Sequence, residues 1–72
     1  MKEENKYIKQ NIERLDIPVS EINILKENNI ITLGNLCNYT KTDLKALDLK
    51  QSNINKIQIE LQLLGLNLKG GI

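Results

Sequence analysis

The sequence predicts an all-α fold of four short helices, and three observations carry that prediction. Apolar residues recur at spacings of three and four rather than two through most of the chain. Thr or Asp stands three residues ahead of a polar partner where successive apolar stretches begin, the signature of a capped helix start. The connections between these stretches are brief, and no strand is read among them.

Residues 1–13 are polar and rich in Lys, Glu and Asn. Ile8, Ile12 and Leu15 are spaced four and three, so this stretch is read as a linker with helical bias or as a short extra N-terminal helix. An isolated helix this short is marginal in water. Asp16-Ile-Pro-Val then marks a start, because proline is tolerated where its missing amide hydrogen would be unpaired anyway. The first helix, VSEINILKEN, is expected to turn Val19, Ile22 and Leu25 inward, with Ser20, Asn23, Lys26 and Glu27 facing other ways. Asn28-Asn29 ends it, since Asn tolerates the left-handed cap.

Ile30-Ile31 is an apolar connector. Thr32 caps a second helix, LGNLCNY, with Leu33 and Leu36 facing in. Gly34 sits one turn inside it, where glycine costs stability; close packing against the first or fourth helix is the expected reason. Thr40 and Asp43 form a capping box that opens the third helix, KTDLKAL. Asp48 and Gln51 repeat the pattern ahead of the fourth, SNINKIQIELQLLG, whose apolar face runs Ile54, Ile57, Leu61, Leu64. Gly65 is its C-cap, and Leu66 and Leu68 fold back over the core. Ile59 and Leu63 fall off that face, so the fourth helix is expected to lie centrally, packed by the other three, a partner surface being the second reading. Residues 69–72 read as a disordered tail. LKENNIITLGNL and LKALDLKQSNINKI share a faint helix-turn-helix echo.

A chain of 72 residues makes one domain. It can bury about 60% of its unfolded surface. Apolar residues make up 40% of it, nearly all Leu and Ile, with two Tyr and no Trp or Phe, so the core is aliphatic. The single cysteine, Cys37, cannot form an internal disulfide and reads as a small hydrophobe in a reducing compartment. No apolar run approaches the roughly 20 residues that span a membrane, and the polar N-terminus has no signal-peptide pattern; a cytoplasmic protein is expected. The absence of His, with one Cys and scattered carboxylates, argues against a metal site, catalytic residues, a cofactor or a small-molecule substrate. Ten basic against nine acidic residues give a net charge of +1. That is not the footprint of a tight, salt-driven nucleic-acid binder. Any DNA contact must be small, or helped by tethering.

LDIPVSEINILKENNIITLGNL, then TKTDLKAL, then DLKQSNINKIQIELQLLGLNL resembles the C-terminal domain of the bacterial RNA polymerase alpha subunit. The match runs from about Leu15 to Leu68, with a domain expected over 14–68. Its most specific pieces are Leu25 to Leu36 and the closing Leu61 to Leu68. The resemblance implies a compact four-helix domain containing a helix-hairpin-helix, with no catalysis of its own. It also implies a tethered module that contacts A/T-rich upstream promoter DNA, sigma factor, transcription activators and, through the parent polypeptide, other polymerase subunits.

Carried over by position, the resemblance implies a DNA-binding set of Ser20, Asn23, Lys26, Lys50, Ser52 and Asn53. Asn23 and Lys26 match the family's first-helix pattern, but the Arg that enters the minor groove falls on Ser20. The hairpin Leu-Gly-x-Lys-Ser becomes Leu49-Lys50-Gln51-Ser52-Asn53, so Lys50 takes the glycine position and Ser52 the lysine position. Lys50 therefore either avoids positive φ or holds it at about 1 kcal/mol. Loss of the groove Arg removes the best reader of A-tract potential, so DNA binding weaker than the family norm is expected. Glu13 and Asp16 fall on the acidic, sigma-facing region, with Arg14 departing from it; Asp16 also reads as a helix cap. Two other readings compete. One is a protein-interaction module with a degraded DNA face. The other is a helix-hairpin-helix of a DNA-repair or recombination enzyme, against which the glycine-free hairpin counts.

Overall fold

The computed structural model describes residues 5–70. Residues 1–4 and 71–72 lie outside it, and with them the ends of the N-terminal and tail segments. Four helices follow one another: α1 (Val19–Glu27), α2 (Leu33–Leu36), α3 (Lys41–Ala46) and α4 (Gln51–Leu63). They enclose one aliphatic core in which Ile12, Leu25, Ile30, Leu33, Leu36, Leu44, Ile54, Ile57 and Leu61 are fully buried. The fold is the all-α helix-hairpin-helix domain expected.

The N-terminal segment forms two 3-10 turns, Lys6–Lys9 and Ile12–Arg14. Each is opened by an asparagine: the Asn5 and Asn11 side-chain oxygens accept the amides of Tyr7 and Glu13, both at 2.8 Å. Such local side-chain bonds compete with α-helix, and Gln10 and Asn11 between the turns are extended. The segment is sewn to the domain by backbone. Ile12 N–H donates to Ile31 O and Leu33 N–H to Gln10 O, each at 2.9 Å, making an isolated antiparallel bridge between Asn11 and Thr32. The Asn5 side-chain amide donates to Leu64 O at 2.9 Å, tying the same segment to the end of α4.

This segment also explains Gly34. A Cβ there would lie 2.9 Å from Ile8 O and 3.1 Å from Ile8 Cβ. The close approach is therefore to the N-terminal segment, not to the first or fourth helix as the sequence suggested.

The capping signals at α2 and α3 hold. Thr32 Oγ1 accepts Asn35 N–H at 3.1 Å while Asn35 Oδ1 accepts Thr32 N–H at 3.2 Å. Thr40 and Asp43 exchange the same pair of bonds at 3.0 Å each. Helix α2 ends at Leu36 rather than Tyr39, because Thr40 must already be extended to cap α3. Helices α1 and α4 close with the paired bonds of a Schellman motif. Ile30 N–H reaches Leu25 O (3.0 Å) and Asn29 N–H reaches Lys26 O (3.0 Å). At the other end Leu66 N–H reaches Leu61 O (2.8 Å) and Gly65 N–H reaches Gln62 O (3.0 Å). The left-handed residues are Asn29 (φ 63°) and Gly65 (φ 78°).

Two expectations about burial fail. Val19 is 73% exposed, because the core-facing stripe of α1 runs through Glu21, Ile22 and Leu25 instead. Ile59 and Leu63 are 57% and 80% exposed. Helix α4 is covered along Ile54, Ile57, Gln58 and Leu61, and its opposite face is open, so it is not wrapped on all sides by the other three.

Candidate nucleic-acid interface

Two helix beginnings define the site. Helix α1 starts from Pro18, which has no side chain to cap it; the Glu21 and Ile22 amides reach Pro18 O at 2.9 and 3.1 Å. Asp16 is exposed and does not cap this helix. Its own amide donates to Glu60 Oε2 on α4 at 2.9 Å.

Helix α4 starts from Lys50, with φ −69° and ψ 141° and again no side-chain cap. The Asn53 and Ile54 amides reach Lys50 O at 3.0 and 2.9 Å. Asp48, read from the sequence as the cap, has a different job. It follows the last turn of α3 with φ 73°, and its amide donates to Lys45 O at 3.0 Å. The left-handed conformation in the hairpin therefore sits at Asp48, two residues before Lys50. Asp is among the few non-glycine residues that visit that region. Lys50 avoids positive φ, so a glycine is unnecessary there.

The two beginnings are joined directly. Glu21, in the first turn of α1, is only 6% exposed. Its Oε2 accepts the backbone amide of Lys50 at 3.1 Å. One carboxylate thus bridges helices whose contacting residues are 29 apart in sequence. Its other oxygen, Oε1, is buried with no hydrogen-bond partner. The first-turn amides of Ser20, Gln51 and Ser52 lack carbonyls within their own helices, the usual source of anion affinity at a helix start.

Ser20, Asn23 and Lys26 recur every third residue on α1, a spacing that aligns side chains along one side of a helix; Ser20 and Asn23 are exposed. Lys26 is engaged in an ion pair with Glu13 of the second 3-10 turn. A residue expected to face DNA and one expected to face protein are thus partners. Lys50 and Ser52 are exposed at the start of α4. Asn53 is not: at 8% exposure it belongs to the interior, so it offers a phosphate little. Gln51, beside Lys50, bonds Asn55 through its side chain at 3.0 Å.

Glu21 is the residue that sequence reasoning missed. Its signal was positional: it lies four residues before Leu25 and next to Ile22, on the stripe that turns inward. Cys37 is half-buried against the core, as a small hydrophobe would be. Burial pushes its thiol above the ordinary value, against a smaller lowering by a backbone hydrogen bond from Asn67. Among the described residues no cluster of His, Cys, Asp and Glu could hold a metal ion, and no helix is long and apolar enough to cross a membrane.

Fold and site together define a small helix-hairpin-helix domain whose hairpin is docked on the first turn of another helix. Residues 1–63 match the family model for the C-terminal domain of the bacterial RNA polymerase alpha subunit, and the protein belongs to that family. Its setting is therefore bacterial transcription, as part of the RNA polymerase alpha subunit. No curated protein matches the sequence.

Proposed function

We propose that this protein is a DNA- and protein-binding module of RNA polymerase that works in the bacterial cytoplasm. It contacts A/T-rich upstream promoter DNA through the starts of α1 and α4. Through the exposed region around Asp16 and Glu13 it meets sigma factor and transcription activators. It has no catalytic residues of its own and acts by tethering: a weak contact gains force when a linker supplies an effective concentration in the millimolar range.

The observation that supports this best is the 3.1 Å bond from Lys50 N–H to Glu21. It brings two uncapped helix beginnings together, with the exposed side chains of Ser20, Asn23, Lys50 and Ser52 around them. Two amide-bearing ends and an ammonium side by side suit the phosphates of a single groove.

Two observations favour a second reading, in which the surface serves proteins only. Lys26 is already paired with Glu13, and Asn53 is buried. Fluorescence anisotropy with a labelled A/T-rich duplex separates the two. The DNA reading expects binding at low salt that falls steeply as salt rises. No binding at low salt would leave the protein-only module.

A further inference from the structure

Most of the interface consists of groups that attract an anion, yet its centre holds a carboxylate. Glu21 is more than nine-tenths buried, receives one bond, from Lys50 N–H, and keeps a second oxygen with no partner. The helix it touches, α4, runs from Gln51 to Leu63, long enough to present a full N-terminal dipole. Neither helix start has a side-chain cap of its own. Glu21 places a side-chain oxygen on the Lys50 amide at the head of α4.

We propose that Glu21 is the positioning residue of this interface. Its carboxylate locks the hairpin against α1, and its negative charge lowers the affinity of the joined helix starts for a phosphodiester strand. This inference rests on the DNA reading above. A phosphate approaching the Gln51 and Ser52 amides meets an electropositive helix end already partly neutralised from inside. Lys50, exposed beside them, supplies attraction that the carboxylate offsets. Weak binding in the isolated domain is then a built-in property, set by one buried group rather than by a lack of basic residues alone.

The two roles separate by substitution. Glu21→Gln has the same shape and keeps an acceptor for Lys50 N–H, but it removes the charge. Glu21→Ala removes both. Binding of an A/T-rich duplex is measured by anisotropy across a salt series, with the amide NMR spectrum reporting the fold. Glu21→Gln is expected to bind about tenfold tighter than the unmodified protein at low salt, with the advantage shrinking as ionic strength rises. Glu21→Ala is expected to bind more weakly than Glu21→Gln, because the hairpin is no longer held. A purely structural role for Glu21 would give no salt-dependent gain. Unchanged or weaker binding by Glu21→Gln overturns the proposal, as does failure of that variant to fold, since the acceptor is retained. Equal binding by the two variants overturns the positioning role. If neither the unmodified protein nor Glu21→Gln binds duplex at low salt, the DNA reading itself falls. Binding by the unmodified protein without a gain in Glu21→Gln removes only the role given to Glu21.

Discussion

Replacing Gly34 with alanine sets two effects of opposite sign against each other. In an isolated helix the change should stabilise by about 0.5–1 kcal/mol, because alanine loses less backbone freedom on folding. Here the new methyl would lie 2.9 Å from Ile8 O and 3.1 Å from Ile8 Cβ. The first neighbour is backbone, and it belongs to a 3-10 turn tied down at Asn5 and Gln10, so it cannot swing aside as a side-chain end would. Forcing an extra carbon into a packed site costs about 1–3 kcal/mol. The contact therefore wins, and a net loss of about 1–2 kcal/mol is expected. For a domain this small that lowers the melting temperature by roughly 4–15 °C. Thermal denaturation followed by circular dichroism measures it. A companion protein beginning at Asn11 lacks Ile8, and there Gly34→Ala should become neutral or stabilising. A rise in melting temperature for Gly34→Ala in the full-length sequence would refute the packing of the N-terminal segment on α2.

Other expected outcomes follow from the hairpin, the ion pair and the thiol. Asp48→Gly relieves a left-handed non-glycine residue and should stabilise by about 0.5–1 kcal/mol, partly offset by the greater freedom of the unfolded state; a loss of stability on urea denaturation would contradict the hairpin geometry. Because Lys26 is engaged with Glu13, Lys26→Ala should weaken duplex binding little in the unmodified protein. In a Glu13→Gln background the same change should cost more and flatten the salt slope by about one; equal effects in both backgrounds would show that the pair does not restrain Lys26. Cys37 keeps its proton to a higher pH in the folded protein than in the unfolded state. Its contribution is therefore present below the ordinary thiol range and lost as pH rises through the folded value. A Cys37→Ser variant should accordingly lose less stability than the parent as pH rises through and above the ordinary thiol range.

Much of the fold was legible because it depends on local chemistry. The Thr32 and Thr40 caps, the Asn28-Asn29 ending and the Gly65 closure each need only neighbours within a turn, and each appears in the structure. The Ile54, Ile57, Leu61 stripe was readable for the same reason. What escaped depends on tertiary placement. The 3-10 turns of residues 6–14 gain their place from a backbone bridge to Ile31 and Leu33 that no periodicity announces. Asp48 looked like a cap because its spacing to Gln51 fits one, but the hairpin needed a left-handed residue there. Ile59 and Leu63 suggested a surrounded helix, because sequence shows apolar content and not which side is covered. At the proposed interface, spacing located Ser20 and Asn23 on an exposed face but could not show that Asn53 turns inward or that Lys26 has a partner. The role proposed for Glu21 was not legible, since it depends on a bond to a residue 29 positions away.

Under the proposed function, the first turns of α1 and α4 form one surface for a DNA strand. The most direct test is residue-resolved amide NMR of the whole protein titrated with an A/T-rich duplex at low and physiological salt. The largest shifts are expected at Ser20 to Lys26 and at Lys50 to Ser52, moving together with one affinity and fading as salt rises. Shifts centred on the exposed Ile59 and Leu63 face, or none at low salt, would contradict it.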